Sequence, residues 1–370
     1  SFRELRRLLK VVRKYDRVWQ TTPIIENRLK ALGYFLLTSG RLFGKTLKTS
    51  ALSAIELTLA PRATKVLMMY AKLLNSRLFK GNIHFQALGT NFRIWSDGIV
   101  SPLFEELQST AQLIAKEYDD RAGRLALLKD PVWIADFRRD WLHGRTGDDL
   151  ASWKAARGLP DNLVIRELSK MTFDRAPVDA WVGETLAHVM SILQAYQGGQ
   201  SSIVRSEAER AAFEQSDLVV KDEADFMLYL MRSFDKDFRF WADVGNVGNT
   251  NTLSYLLDET TLPGFNDSGA HITNMAFFDC NLMSLKWAQQ RDEATVAKMI
   301  RRLTAEPAAF FGLDAGTLDI GAKADMVLLD PEQLHDWHTD DTRQLEYREI
   351  FEHEQMVNRP AGIVLGVWVA

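Results

Sequence analysis

The sequence predicts an α/β fold, because short runs with the composition of β-strands alternate with longer segments of helical periodicity. The strand candidates are "RVWQTTP" (17–23), "NIHFQALG" (82–89), "FRFWADVG" (238–245) and "TLPGFND" (261–267). The helical candidates are residues 1–16, 25–80, 177–196, 222–234 and 292–312. The C-terminal segment differs from the rest of the chain in its hydrophobic pattern. The runs "KADMVLLD" and "AGIVLGVWVA" are rich in β-forming residues, and no long helix is predicted between them. Several βα steps followed by a small β-rich segment are therefore predicted.

The composition is that of a globular protein able to form a substantial core. The 370 residues are 46% hydrophobic and 25% charged, and they include ten Trp and twenty Phe. The single cysteine, Cys280, excludes an intramolecular disulfide and a cysteine-based zinc site. No run of about 18 apolar residues occurs, so we expect no transmembrane helix and no membrane partner. A cytoplasmic location is the corresponding expectation.

The net charge of −4 conceals an uneven distribution along the chain. Residues 1–80 hold seventeen Lys and Arg against four Asp and Glu, a balance of +13, so the remaining residues carry −17. Such a basic segment suits nucleic acid, an anionic membrane or an acidic protein partner. Because no zinc finger or aromatic-interleaved RNA motif accompanies it, we expect no nucleic-acid partner.

The stretch "TLPGFNDSGAHITN" (261–274) has two interpretations. "NDSG" is a common turn sequence, and Asp caps helices readily. Alternatively, residues 261–265 end a strand, and Asp267 then stands where catalytic groups of α/β barrels are found. A carboxylate there can ligate a metal or transfer a proton to a leaving amine.

The residues that follow carry a resemblance to a known family. "LPGFNDSGAH" is similar to the "GxSDxGAH" signature of the D-aminoacylase-like (N-acyl-D-amino-acid deacylase) branch of the amidohydrolase superfamily. "RRLTAEPAAFFGLDAGTLDIGAKADMVLLDP" (301–331) and "EHEQMVNRPAGIVLGVWVA" (352–370) resemble that branch's closing blocks, in order and at suitable spacing. The resemblance covers about residues 260–370, while residues 1–260 match more loosely.

The resemblance implies a (β/α)8 TIM-barrel hydrolase that uses one or two divalent ions, usually zinc. Asp267 would be the aspartate at the end of barrel strand eight, acting as proton shuttle and metal ligand. The implied reaction is metal-dependent hydrolysis of a carbon–nitrogen amide bond in an N-acyl-D-amino acid or a similar linear amide. Hydrolysis of a cyclic amide, as by hydantoinases and dihydropyrimidinases, is the alternative within the same chemistry.

The sequence departs from that family at the metal site. The first-strand His-x-His pair is absent from the seven histidines, which are His84, His143, His188, His271, His335, His338 and His353. We therefore interpret residues 1–312 as a partial barrel, about strands five to eight, and residues 313–370 as a β segment of a small β-sandwich domain. The remaining ligands would then come from outside this chain, and an N-terminal part of the same enzyme would be a partner. A catalytically silent fragment or a binding module is the other interpretation.

Substrate-binding candidates lie near the same predicted edge of the fold. Ser268, Gly269 and His271 follow Asp267 closely, and His271 could orient a substrate carboxylate or the metal site. His84 and Gln86 alternate on one strand and therefore share a face, where they could line the mouth of a barrel. A satisfied core histidine is an equally good interpretation of His84. A small-molecule amide substrate is thus expected, and the sequence leaves a homo-oligomer open.

Overall fold

The computed structural model describes most of the chain in two compact units. The described residues are 2–21, 36–52, 61–87, 90, 92–99, 101, 104, 107–117, 119–143, 167–245, 252–264 and 279–370. The first unit comprises Ser1–Phe92, Asn246–Ala270 and Phe277–Ala370, and the second comprises Arg93–Gly245 and His271–Ala276. The expected division of the chain at residue 312 remains a prediction.

Helices and strands alternate through the first third of the described chain. In chain order the helices are α1 (Phe2–Lys14), α2 (Gly40–Phe43), α3 (Pro61–Asn75), α4 (Gln108–Ile114), α5 (Arg121–Lys129), α6 (Pro131–His143), α7 (Leu186–Gln197), α8 (Glu207–Phe213), α9 (Glu223–Phe234), α10 (Thr252–Leu256), α11 (Cys280–Gln289), α12 (Glu293–Leu303), α13 (Ala305–Phe311), α14 (Pro331–Asp336) and α15 (Thr339–Thr342). The strands are β1 (Trp19–Thr21), β2 (Lys48–Leu52), β3 (Asn82–Ala87), β4 (Phe92–Asp97), β5 (Met171–Arg175), β6 (Arg239–Gly245), β7 (Thr261–Pro263), β8 (Met326–Leu329), β9 (Arg343–Arg348), β10 (His353–Asn358) and β11 (Val364–Trp368). Short 3-10 helices lie at Leu168–Lys170, Asp179–Trp181, Ser201–Ile203 and Glu349–Phe351.

A parallel sheet forms the centre of the first unit. Its strand order is β1-β2-β3-β7, and each described pairing within it is parallel. The predicted mixed α/β architecture is thereby confirmed. The described residues do not close this sheet into a barrel.

Strand β2 is a correction to the sequence analysis, which predicted a mostly helical segment over residues 25–80. The short run "KTSAL" has weak strand character by itself, but it pairs with β1 on one side and with β3 on the other. Thr49 is fully buried there. Pairing with strands on both sides therefore stabilises the extended conformation of this segment more than its local propensity does.

The two faces of β3 have different neighbours. Ile83 and Phe85 pack against Ala71 and Leu74, so this face lies under α3. His84 and Gln86 belong to the alternate set of residues and are only partly buried.

The second unit contains a separate sheet with strand order β4-β6-β5. The predicted strand at 238–245 is present as β6, but it pairs antiparallel with β5. The expectation that this strand is one of the βα steps of a partial barrel is therefore wrong. In the same unit α9 is buried along nearly its whole length, and the side chain of Asp222 caps it by accepting from the backbone N–H of Asp225.

Two helix boundaries also differ from the predictions. The helix expected to begin at Pro177 begins at Leu186, and the Thr185 side chain caps it. Gly183 has a positive φ of 84°, which a right-handed helix does not allow, so the helix cannot extend back to Pro177. The helix expected over 292–312 is two helices that meet at Thr304. Pro307 lacks the N–H that would bond to Leu303, so a single continuous helix is disfavoured.

The end of the chain is β-rich, as predicted. β8 pairs antiparallel with β11, and β9 pairs antiparallel with β10. Leu334, Trp337 and Ile363 are buried together and contact Leu282 and Met283 of α11. The β8–β11 ribbon, by contrast, exposes apolar side chains on both faces, among them Met326, Val327, Leu328, Leu365, Val367 and Trp368.

Across the described part of the chain, no helix has the length and apolar character needed to span a membrane.

Candidate functional site

The carboxyl ends of β3 and β7 lie side by side. In this parallel pair Gln86 is opposite Leu262, and Ala87 is opposite Pro263. Gly264 follows directly with a φ of 105°, a conformation that favours glycine. A side chain at this position would lie 3.2 Å from Oδ1 of Asn281, so the backbone passes closely over the start of α11. The chain thus turns sharply at the carboxyl edge of the sheet, three residues before Asp267.

The residues predicted to act at this turn cannot be placed. Asp267, Ser268, Gly269 and His271 lie outside the described residues. Their roles therefore remain predictions. The described elements on either side of this segment are β7 with Gly264 before it and α11 after it.

His84 lies beside the segment that leads into β7. Its Nε2 is 2.9 Å from Oδ1 of Asn82, and its ring meets that of Phe310 edge-on with centroids 5.0 Å apart. Burial is the largest cause that lowers the pKa of His84, and it outweighs a hydrogen bond with the backbone of Glu259, which raises that pKa. The ring is therefore held neutral at physiological pH, between α13 and the residues that precede β7.

Gln86 is two residues nearer the carboxyl edge than His84. Its backbone lies opposite Leu52 of β2 and Leu262 of β7, and its side chain is partly buried. The structure therefore brings Gln86, rather than His84, close to the end of the sheet that leads toward Asp267.

The start of β7 is anchored by a buried guanidinium group. Nη2 of Arg302 donates to the backbone oxygen of Thr261 at 2.7 Å and to that of Asp258 at 2.8 Å. Nη1 of Arg302 donates to Glu306 at 2.8 Å, so the charge is also paired. Because Arg302 is 3% exposed, these bonds form in a medium that strengthens them.

A second link holds the loop before β7. Nζ of Lys72 on α3 lies 2.7 Å from Oδ2 of Asp258, and Oδ1 of Asp258 accepts from the backbone N–H and the hydroxyl of Thr260. Burial alone would raise the pKa of Asp258. The hydrogen bonds from Lys72 and Thr260 outweigh it together, so the pKa lies below its ordinary value. The carboxylate is therefore ionised and structural.

The described residues do not provide a metal site. No group of three or more His, Cys, Asp and Glu side chains that could hold an ion occurs within the part of the chain that the structure describes. His335 pairs with its neighbour Asp336 through exposed side chains, and Cys280 is buried as a free thiol. These side chains therefore do not fit a catalytic divalent ion by themselves.

A scan against protein families matches residues 261–369 to the amidohydrolase family. This segment is therefore similar to part of an amidohydrolase. The match begins at the first residue of β7 and runs through the β-rich tail, which is less than a third of the chain. Nothing in the match distinguishes the D-aminoacylase branch.

Relatives of greater length are found among curated proteins. An uncharacterized protein of Mycobacterium bovis is 29% identical over 342 residues, and uncharacterized proteins from two strains of Mycobacterium tuberculosis show the same identity. The alignments cover 90% of this chain and 49% of each relative, so the chain spans about half the length of these relatives. No solved structure is significantly similar to the chain.

Sequence reasoning missed Arg302, although the sequence contains a signal for it. Thr295, Met299 and Arg302 follow one another at helical spacing on α12, and all three are buried. A basic residue on the apolar face of an amphipathic helix indicates a buried guanidinium with several partners. The side chain thus positions β7, and through β7 the segment that carries Asp267.

Proposed function

We propose that this chain forms part of a metal-dependent hydrolase that cleaves the carbon–nitrogen bond of a linear amide. The substrate class is an N-acyl-D-amino acid or a similar compound, as the sequence resemblance implies. One observation carries the proposal: the family match begins at Thr261, in a strand whose carboxyl end lies at the edge of a parallel sheet. Active sites of α/β barrels occur at that edge.

In this proposal Asp267 is the proton shuttle. Its carboxylate accepts a proton from the attacking water and returns it to the departing nitrogen, so that the amine leaves as a neutral group. Ser268, Gly269 and His271 contact the substrate, with His271 orienting its carboxylate. Gln86 is the better placed of the two β3 candidates, since it lies closer to the carboxyl edge than His84 does.

The divalent ion that the family commonly uses, here proposed to be zinc, would acidify the attacking water. Because the described residues hold no three-ligand cluster, Asp267 is the ligand that we propose from this chain. The other ligands would come from a polypeptide that corresponds to the part of the relatives not matched by this chain. The parallel strands β1, β2, β3 and β7 would then be part of a larger (β/α)8 barrel.

The exposed apolar residues of the β8–β11 ribbon support the proposal that a second polypeptide completes the enzyme. A two-stranded ribbon is only marginally stable alone, and exposed apolar residues on both of its faces are typical of a surface that another segment covers. Val327 and Val367 are each 60% exposed. Further β-strands from the N-terminal part of the same enzyme would pair with the ribbon edges and bury these residues.

The central experiment measures metal content and amide hydrolysis in the complete enzyme. We expect bound zinc and turnover of N-acyl-D-amino acids in the wild type, and loss of turnover with retention of the fold in Asp267→Asn. Asp319→Asn removes an exposed carboxylate from the same matched segment and is the control that keeps its activity. A complete enzyme that binds no divalent ion and stays inactive with added zinc would refute the hydrolase proposal, and activity in Asp267→Asn would refute the role of that residue.

Cysteine labelling tests the proposed partner separately. In a Cys280→Ser background, Val367→Cys should react rapidly with a thiol reagent in this chain alone and should be protected in the complete enzyme. Val132→Cys, at a position that is 71% exposed in the second unit, should react in both. Equal labelling of Val367→Cys in the two preparations would contradict the pairing of further strands with the ribbon.

A further inference from the structure

Helix α1 presents a dense cationic surface. Arg3, Arg6, Arg7 and Lys10 lie at helical spacing and line an open cavity of about 470 Å³. The opposite side of the helix is anchored, because Leu9 is buried with Leu37 and Leu47. Since like charges three and four residues apart repel one another on a helix, an anionic partner would stabilise this surface.

Exposed apolar residues accompany the cations of α1. Leu8, Val11 and Tyr15 are each at least half exposed and follow one another at spacings of three and four residues. The helix therefore offers a basic stripe next to an apolar one. We call the exposed residues Arg3, Arg7, Leu8, Lys10 and Val11 the basic face.

The same unit contains a surface of opposite charge. Residues 330–355 hold nine Asp and Glu against two Arg. Several of the acidic side chains are exposed around the β9–β10 hairpin, among them Asp341, Glu349 and Glu352. Tyr347 and Ile350 are also exposed there, with Ile350 at 82%. We call Asp341, Tyr347, Glu349, Ile350 and Glu352 the acidic face.

The two faces match in length as well as in charge. The thirteen residues of α1 extend over about 20 Å, at 1.5 Å per residue. The six-residue strands of the β9–β10 hairpin also extend over about 20 Å. Specific protein interfaces commonly combine complementary charges with apolar side chains next to them.

We propose that the acidic face of a second copy of this chain binds the basic face. Each copy carries both faces, so a two-fold pair makes the contact twice and closes without further growth. The three cations of the basic face and the three carboxylates of the acidic face thereby neutralise each other between copies. The partner is another molecule of the same protein, and the contact is electrostatically steered and sensitive to salt.

A charge-reversal experiment tests this pairing by light scattering after gel filtration. The wild type should be dimeric at about 50 mM salt and should dissociate at about 500 mM, where screening is stronger. The basic-face variant R3E/R7E/K10E and the acidic-face variant D341K/E349K/E352K should each raise the dissociation constant at least about tenfold. A matched control, K116E/K129E/K298E, changes the net charge equally at exposed lysines and should remain dimeric.

Mixing the two reversed variants gives the decisive result. One then carries two acidic surfaces and the other two basic surfaces, so an equimolar mixture should form a heterodimer although each variant alone is monomeric. Circular dichroism establishes that both variants are folded. A monomeric wild type at low salt, dimers that persist in R3E/R7E/K10E, or the absence of a heterodimer from the mixture would each overturn the proposal. Binding of the monomeric wild type to DNA through the basic face would assign that surface to nucleic acid instead.

Discussion

Arg302 holds Thr261 by two hydrogen bonds from the same nitrogen. Nη2 lies 2.7 Å from the backbone oxygen and 2.9 Å from the hydroxyl oxygen of Thr261. The hydroxyl in turn donates to the backbone oxygen of Tyr255 at 2.6 Å. The first residue of β7 is therefore fixed to α12 and to the end of α10, and this fixes the strand that leads to the proposed catalytic segment.

Replacing Arg302 should destabilise the first unit strongly. Arg302→Leu leaves the buried carbonyl oxygens of Thr261 and Leu256 without a donor, so we expect a loss of about 3 to 5 kcal/mol in the free energy of unfolding. The neighbouring Arg301 has a side chain that is 73% exposed, and Arg301→Leu should change stability by less than about 0.5 kcal/mol. Urea unfolding of the two variants measures the difference, and equal losses would show that the buried contacts of Arg302 are unimportant.

The ion pair between Arg124 and Asp235 should be the corresponding anchor of the second unit. Both side chains are nearly fully buried, and Nη2 of Arg124 lies 2.7 Å from Oδ2 of Asp235. Asp235→Asn tolerates the positive φ of 51° at this position but leaves a buried guanidinium without its counterion, which should cost about 3 to 5 kcal/mol. Asp136→Asn breaks an exposed pair with Arg139 and should cost less than about 0.5 kcal/mol. Thermal unfolding followed by circular dichroism distinguishes the two, and a small loss in Asp235→Asn would contradict the prediction.

His84 should make stability depend on pH. Because its pKa is lower in the folded chain than its ordinary value of 6.5, the unfolded chain binds the proton more readily. Stability is therefore fully present above pH 6.5, falls as the pH drops below 6.5, and stops falling below the folded pKa.

The variant His84→Gln should flatten this dependence. Urea unfolding at a series of pH values between about 7.5 and 5 covers the range in which an unperturbed histidine titrates. His188→Gln replaces an exposed histidine and is the matched control for the substitution itself. If His84→Gln keeps the wild-type slope, the buried ring does not contribute to the pH dependence.

The strand at 82–87 illustrates what local sequence can predict. Alternation in "NIHFQA" indicated a half-buried strand, and Ile83 and Phe85 do lie on the face packed under α3. The starts of the helices predicted from residues 222 and 292 are also confirmed. Asp222 and Asp292 both cap helices that begin at the next residue. Each of these signals acts within a few residues, so it can be recognised before the chain folds.

Local signals of this kind did not predict which strands pair with each other. "KTSAL" joined the parallel sheet although its neighbours suggested a helix, and "RFWADVG" formed a strand in a different, antiparallel sheet. Arg302 acquired its role from carbonyl groups more than forty residues earlier in the chain. Contacts of this kind depend on which segments meet, and local composition does not record that.

The alternation of helices and strands, the β-rich tail and the motif around Asp267 could be recognised in the sequence, because periodicity and short motifs are local properties. The folded chain was needed to show which strands share a sheet and which residues anchor β7. It also showed that His84 packs beside the residues before that strand, while Gln86 lies nearer the carboxyl edge of the sheet. The reason is physical: strand pairing and the burial of a charged side chain are stabilised by groups far apart in sequence, and their balance is set only when those groups come together.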